Sequence, residues 1–277
     1  MNQILVSAAN LQQQLSEQPI TILRALMSDP INGTADIRDS QLLPGTIDVD
    51  IDAEGSDHSS GLPHTNLSAD AFSSLLSQLG LNINSDIVIY DNRGIFSAPR
   101  LWWMMKALGH QNLRLLNGGW PAWEASGFSE SKHVSPQHNT SNYQAVVPAK
   151  AWFANAEHVL AAMNTETQIV DARSAARFHG NVDEPRAGVR RGHIPGSYNL
   201  PFQSVLENGK FKEVSALEAL FAETQISLDK PIICSCGSGV TACIIGVAAL
   251  LCGATDVRVY DGAWSEWGAN SHFPVEV

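Results

Sequence analysis

Residues 231–246 read PIICSCGSGVTACIIG. An apolar, β-branched run ends at Cys236, a loop carrying Gly237 and Gly239 follows, and an uncharged apolar stretch runs on from Ala242 to Cys252. The first part reads as a buried strand, while the last has the length of a core helix and falls short of a bilayer span. A strand that passes through a glycine loop straight into a helix is the corner of an open parallel sheet. In such a sheet ligands bind at the carboxyl ends of the strands, which is where Cys236 stands.

The same pattern occurs earlier as IVIYDNRGIFSAPRLWW, from Ile87, and places Asp91 opposite Cys236 (236 − 91 = 145). RLLNGGWPAW from Arg114 matches RVYDGAWSEW from Arg258, so Trp120 and Trp123 fall opposite Trp264 and Trp267. TILRAL from Thr21 matches QIVDAR from Gln168, and LLPGT from Leu42 matches HIPGS from His193. Four matches in one order at nearly one offset mean a duplicated domain. Strands alternate in each half with helical spacing in ADAFSSLLSQLG, RLWWMMKALG, NAEHVLAAMN and LEALFAE, which predicts an α/β architecture with a mostly parallel sheet flanked by helices. A polar stretch separates the halves, giving an N-terminal domain over 1–130, a linker over 131–150 and a C-terminal domain over 151–277.

Apolar residues make up 44% of the 277 positions and charged residues 16%, a globular composition large enough for two cores. A net charge of −11 argues against nucleic acid or an anionic membrane as main partner. Any anion site must therefore be made locally, from arginines and backbone N–H groups. The N-terminus has neither a basic region nor a long apolar run, so no signal peptide or membrane helix is expected. Cys234, Cys236, Cys243 and Cys252 lie close together without CxxC spacing or neighbouring histidines. That pattern suits reduced thiols in the cytoplasm, with no metal and no disulfide framework.

The loop Cys236-Gly237-Ser238-Gly239-Val240-Thr241 carries the chemistry. Its glycines let the backbone curl so that successive N–H groups face inward as an anion nest, and the following helix adds its positive end. A thiol in such surroundings is favoured as the thiolate, the nucleophilic form. Cys234, Cys243 and Cys252 read as core residues, as do Trp264 and Trp267. Gly180, Gly192 and Gly196 read as turn residues, and His193 as the cap of a turn.

CGSGVTA, the duplicated domain, DARSAARFHGNVDEPRAGVRRGHIPGSYNLPF from Asp171 and YDGAWSEWGA from Tyr260 together resemble the rhodanese superfamily, in particular the 3-mercaptopyruvate sulfurtransferases of bacteria. The resemblance covers nearly the whole chain and implies two tandem rhodanese-like domains, the first silent because Asp91 replaces the cysteine. It implies that Cys236 takes sulfur from 3-mercaptopyruvate as a persulfide and passes it to a thiol such as thioredoxin, or to cyanide, with no cofactor. Thiosulfate-using relatives carry basic residues after the cysteine. The neutral pair Gly237 and Ser238 suits a donor whose charge is a more distant carboxylate.

By resemblance that carboxylate is clamped by Arg177 and Arg186, arginine being the side chain that pairs with carboxylates bidentately. Either could instead pair with Asp183 or Glu184. Arg173 is expected to order the sheet end beside Asp171, and Arg190 and Arg191 to be solvated. The family also implies a Ser–His–Asp relay, matched here by Ser238, His64 and Asp52. This stretch departs from the family pattern by an extra residue between Asp52 and His64, by Gly61 in place of proline, and by Thr65-Asn66-Leu67 after the histidine. His58 is the alternative if the insertion shifts the register.

Three other readings compete. A cysteine phosphatase needs a longer loop ending in an arginine, and Ala242 follows Thr241 here. A thiosulfate sulfurtransferase would use the same thiol on another donor. An idle binding module would have no need of the Cys236 loop.

Overall fold

In the computed structural model the described residues are 4–29, 33–38, 40–131 and 140–277; residues 132–139 of the expected linker lie outside them. The chain divides into two compact units. One comprises Met1–Asp57, Asn66–Lys150 and Asn208–Lys210, the other His58–Thr65, Ala151–Glu207 and Phe211–Val277.

The first unit runs β1 (Leu5–Val6), α1 (Ala8–Glu17), β2 (Thr21–Leu26), β3 (Thr46–Asp50), α2 (Ala69–Gln78), β4 (Ile87–Tyr90), α3 (Ala98–Ala107), β5 (Leu113–Leu116) and α4 (Gly119–Ala125). Its sheet has the order β1-β5-β4-β2-β3, with every neighbouring pair parallel.

The second unit runs β6 (Phe153–Ala154), α5 (Ala156–Ala162), β7 (Gln168–Asp171), α6 (Ala175–Phe178), β8 (Tyr198–Asn199), β9 (Leu206–Glu207), which pairs with β10 (Lys210–Phe211; Lys210 is counted with the first unit), α7 (Val214–Glu223), β11 (Ile232–Ser235), α8 (Ala242–Leu251), β12 (Val257–Tyr260) and α9 (Ala263–Trp267). Its five-stranded sheet has the order β6-β12-β11-β7-β8 and is again parallel throughout. The two sheets share one strand order, so the sequence repeat is a repeat of fold.

Side-chain alternation along the strands sorts the core into layers. Ile169, Ile233 and Tyr260 point to one face and pack with Val159, Trp264 and Trp267. Ile232, Cys234 and Val257 are buried as well. Helix α8 bears no charge and is buried from Ala242 to Ala249, the signature of a helix wrapped by core on all sides. No helix among the described residues is long and apolar enough to cross a membrane.

Cys234 and Cys243 are core residues, and Trp264 and Trp267 are almost wholly buried. Cys252 is not core: it caps the C-terminal end of α8 and is half-buried, because the helix leaves its packing there. Arg190 is not solvated either. Its Nε donates to the Gly268 carbonyl and its Nη2 to those of Trp267, Asn270 and Phe273. These include carbonyls at the end of α9, where intrahelical donors have run out. Arg191 is exposed and pairs with Asp183.

The chain's last residues form an antiparallel bridge between His193 and Glu276. Beside it Gly192 has φ +105, and a Cβ there would run into the Glu276 carbonyl and a Val275 methyl. Gly192→Ala therefore combines a left-handed backbone with a clash against main chain. It should lower the stability of the second unit by on the order of 2–3 kcal/mol, read as a shifted midpoint in urea unfolding.

Candidate active site

Strand β11 lies between β12 and β7, with Ser235 in register with Asp171, and delivers Cys236 just beyond its carboxyl end. The residue is 2% exposed. The start of α9 grips the loop's first two carbonyls. Trp264 N–H donates to Cys236 O at 2.9 Å, and Ser265 donates to Gly237 O from its N–H at 2.9 Å and its hydroxyl at 2.5 Å. Gly239 takes φ +79 and turns the chain toward α8, its carbonyl accepting from the Cys243 thiol at 3.3 Å. Val240 is buried, and Thr241 is the N-cap residue of α8.

The two glycines do different work. Gly239 supplies the left-handed turn. Gly237 needs no unusual backbone but supplies room, since a Cβ there would lie 2.9 Å from Nη2 of Arg177. The Arg177 guanidinium thus rests against the residue next to Cys236. Arg186 Nη1 reaches the Ser265 hydroxyl at 3.5 Å. Burial holds Arg186 below the usual arginine range and Arg177 adds to this, while the charges of Cys236 and Glu184 oppose it.

Behind these arginines lies a buried ion network. Arg173 holds Asp171 through Nε and Nη2, with distances from 2.7 to 3.1 Å, donates to Gly192 O at 2.8 Å, and lies 4.4 Å above the Trp264 ring. Its Nη1 donates to Glu184 at 2.8 Å, and Glu184 accepts from Arg177 on both carboxylate oxygens. Burial works to lower the Arg173 pKa, and the carboxylates of Asp171 and Glu184 more than reverse it.

Ser238, 7% exposed, meets His64 Nδ1 at 2.9 Å through its hydroxyl. His64 belongs to the second unit with the rest of His58–Thr65 and takes φ +57. It is the histidine that reaches the loop serine; His58 lies in an exposed 3₁₀ turn. Asp52 belongs to the first unit, where its carboxylate accepts the Ser28 N–H at 2.8 Å.

Residues 22–126 and 155–270 match the family described as rhodanese-like domain. A 3-mercaptopyruvate sulfurtransferase of Escherichia coli K12 is 38% identical over 276 residues, covering 98% of this chain and 97% of the relative. The mitochondrial thiosulfate/3-mercaptopyruvate sulfurtransferase 1 of Arabidopsis thaliana is 36% identical, covering 98% of this chain and 77% of its own. The crystal structure of SseA from Escherichia coli, a 3-mercaptopyruvate sulfotransferase by its description, superposes with a TM-score of 0.84 at 34% identity, over 94% of this chain and 98% of SseA. The chain belongs to the 3-mercaptopyruvate sulfurtransferase branch of the rhodanese family.

Within this tandem rhodanese the first repeat shows what the loop backbone is suited to hold. Asp91 occupies the place of Cys236, 1% exposed, and its carboxylate accepts N–H groups from Arg93, Phe96 and Ala98 at 2.8–2.9 Å. Burial raises its pKa and the three N–H bonds pull against that rise. Trp120 N–H donates to Asp91 O, as Trp264 does to Cys236 O. In the first repeat the nest is filled by a side-chain carboxyl group of the chain itself.

Two residues at this site escaped the sequence reading. Ser265 holds the Gly237 carbonyl and meets Arg186, and Glu184, in sequence only a rival ion partner, links Arg173 to Arg177. Comparison of the repeats carried the signal for Ser265, because Pro121 is its counterpart in the first half. Arg173→Met should leave Asp171 and Glu184 as buried carboxylates without their shared cation. A loss of about 3–5 kcal/mol is expected in denaturant unfolding of the second unit, against little change for Arg191→Met at the exposed Asp183 pair.

Proposed function

We propose that the protein transfers sulfur from 3-mercaptopyruvate to a thiol through a persulfide on Cys236. The observation that carries this reading is the Arg177 guanidinium packed against Gly237, beside a buried thiol at a strand end. Three guanidinium groups, Arg173, Arg177 and Arg186, gather here with two carboxylates, Asp171 and Glu184. One positive charge is left over for a thiolate and an incoming carboxylate to share. That local excess supplies the anion site which a chain of net charge −11 otherwise lacks.

The Cys236 thiolate attacks the donor sulfur. A sulfur–sulfur bond forms, the donor's carbon–sulfur bond breaks, and its electron pair passes to carbon as the enolate of pyruvate. The proton leaving the donor thiol is the one the enolate carbon needs, and the Ser238–His64 pair is the group in this unit suited to moving it. Arg177 and Arg186 hold the donor carboxylate. Backbone N–H groups of Gly237–Thr241 and the start of α8 are the donors at hand to stabilise the persulfide anion. A thiol then takes the outer sulfur and frees the Cys236 thiolate. The acceptor is a small dithiol protein such as reduced thioredoxin, or cyanide in vitro. Cys234, Cys236, Cys243 and Cys252 are all free thiols, which suits the reducing cytoplasm.

The Arabidopsis relative's name couples thiosulfate with 3-mercaptopyruvate, which makes thiosulfate the second donor to test. Thiocyanate formation from cyanide should show a kcat/KM for 3-mercaptopyruvate that clearly exceeds the value for thiosulfate. The reverse preference would overturn the donor assignment and keep the carrier. Cys236→Ser should reduce turnover to background with an unchanged unfolding curve. Arg186→Ala should raise KM for 3-mercaptopyruvate about 10- to 100-fold, the scale of a lost charge-assisted contact.

A further inference from the structure

Glu184 touches none of the groups assigned to bond making, yet its side chain is 4% exposed and spans two arginines. A carboxylate is costly to bury and stays ionised only where donors surround it. Here the donors are Arg173 Nη1 at 2.8 Å and Arg177 Nε at 3.2 Å on one oxygen, with Arg177 Nη2 at 2.5 Å on the other. Arg173 is itself fixed by Asp171, the Gly192 carbonyl and the Trp264 ring. The carboxylate is therefore anchored to the sheet end on one side and grips Arg177 on the other.

The grip is directional. A guanidinium presents five N–H donors in a plane, and two donors along one edge pair with one carboxylate. Glu184 takes the Nε–Nη2 edge of Arg177. The donors on the other edge, two on Nη1 and the second on Nη2, remain for another carboxylate, and Nη2 is the atom that abuts Gly237. Pro185 alone separates Glu184 from Arg186, so one short segment sets both arms of the clamp.

We propose that Glu184 is the positioning residue of the donor clamp, turning the outer edge of Arg177 toward the loop of Cys236 so that it receives the donor carboxylate. The assignment rests on the 3-mercaptopyruvate reading above. Without the second carboxylate oxygen the Arg177 plane loses its fixed orientation, and what suffers is donor binding rather than the attack of the thiolate.

The test is Glu184→Gln, with Glu184→Asp as the milder variant. For 3-mercaptopyruvate the Gln variant should raise KM about tenfold or more while kcat stays within a few-fold; Glu184→Asp should fall between it and the wild type. Persulfide loading of Cys236 from inorganic polysulfide, which bears no carboxylate, should proceed at the wild-type rate in both variants, followed by mass spectrometry of the protein in single turnover. A wild-type KM in Glu184→Gln overturns the positioning role. So does a parallel loss of both reactions together with a lowered unfolding midpoint, which marks a merely structural residue. Failure of the wild-type protein itself to turn over 3-mercaptopyruvate sinks the donor reading instead, and the two failures are told apart by which protein shows them.

Discussion

A guanidinium taken out of water must be answered by oxygen acceptors, and the second unit is organised around one such case. Arg173 is 1% exposed, and every donor it directs inward is matched by Asp171, Glu184 or the Gly192 carbonyl. Asp171 ends β7, Gly192 adjoins the bridge to the C-terminal residues, and the Trp264 ring lies under the guanidinium at the start of α9. The Trp264 N–H in turn holds the carbonyl of Cys236. A single buried charge thus ties the sheet end, the C-terminal residues and the Cys236 loop into one corner. Misplacing it would leave several carboxylate and carbonyl oxygens buried without donors.

Duplication used that corner twice with opposite results. In the first unit the nest at the end of β4 closes on the Asp91 carboxyl group, which three N–H groups satisfy. In the second the buried thiol of Cys236 stands at the same point. Leu26 stands where the second repeat has Arg173, and Pro121 where it has Ser265. The cation network and the grip on the second loop carbonyl therefore belong to the thiol-bearing repeat. A carboxyl group held by three backbone N–H groups is satisfied without an arginine.

Much of this was legible in the residues. The run from Pro231 to Gly246 told of a strand, a loop and a buried helix through hydrophobicity and glycine alone, and those elements are β11, the Cys236 loop and α8. The repeat in Trp120, Trp123, Trp264 and Trp267 told of two like sheets, which share one strand order. Arg190 reads as solvated in sequence, because a charged side chain in a polar stretch carries no local sign of a partner. Only the folded chain shows four carbonyls converging on it. Cys252 reads as core for the converse reason, an apolar run that hides the end of α8 at Leu251.

The sequence by itself determined the strand-end thiol, the duplication and the kinds of side chain at hand, because periodicity and glycine placement are local properties of a chain. Tertiary structure decided which of those side chains meet. It brought His64 to Ser238 across 174 positions, gave Gly237 its purpose as space for Arg177, and set Glu184 between two arginines. Those meetings depend on how buried charges find partners through space, and partner choice at long separation is not written in any local pattern.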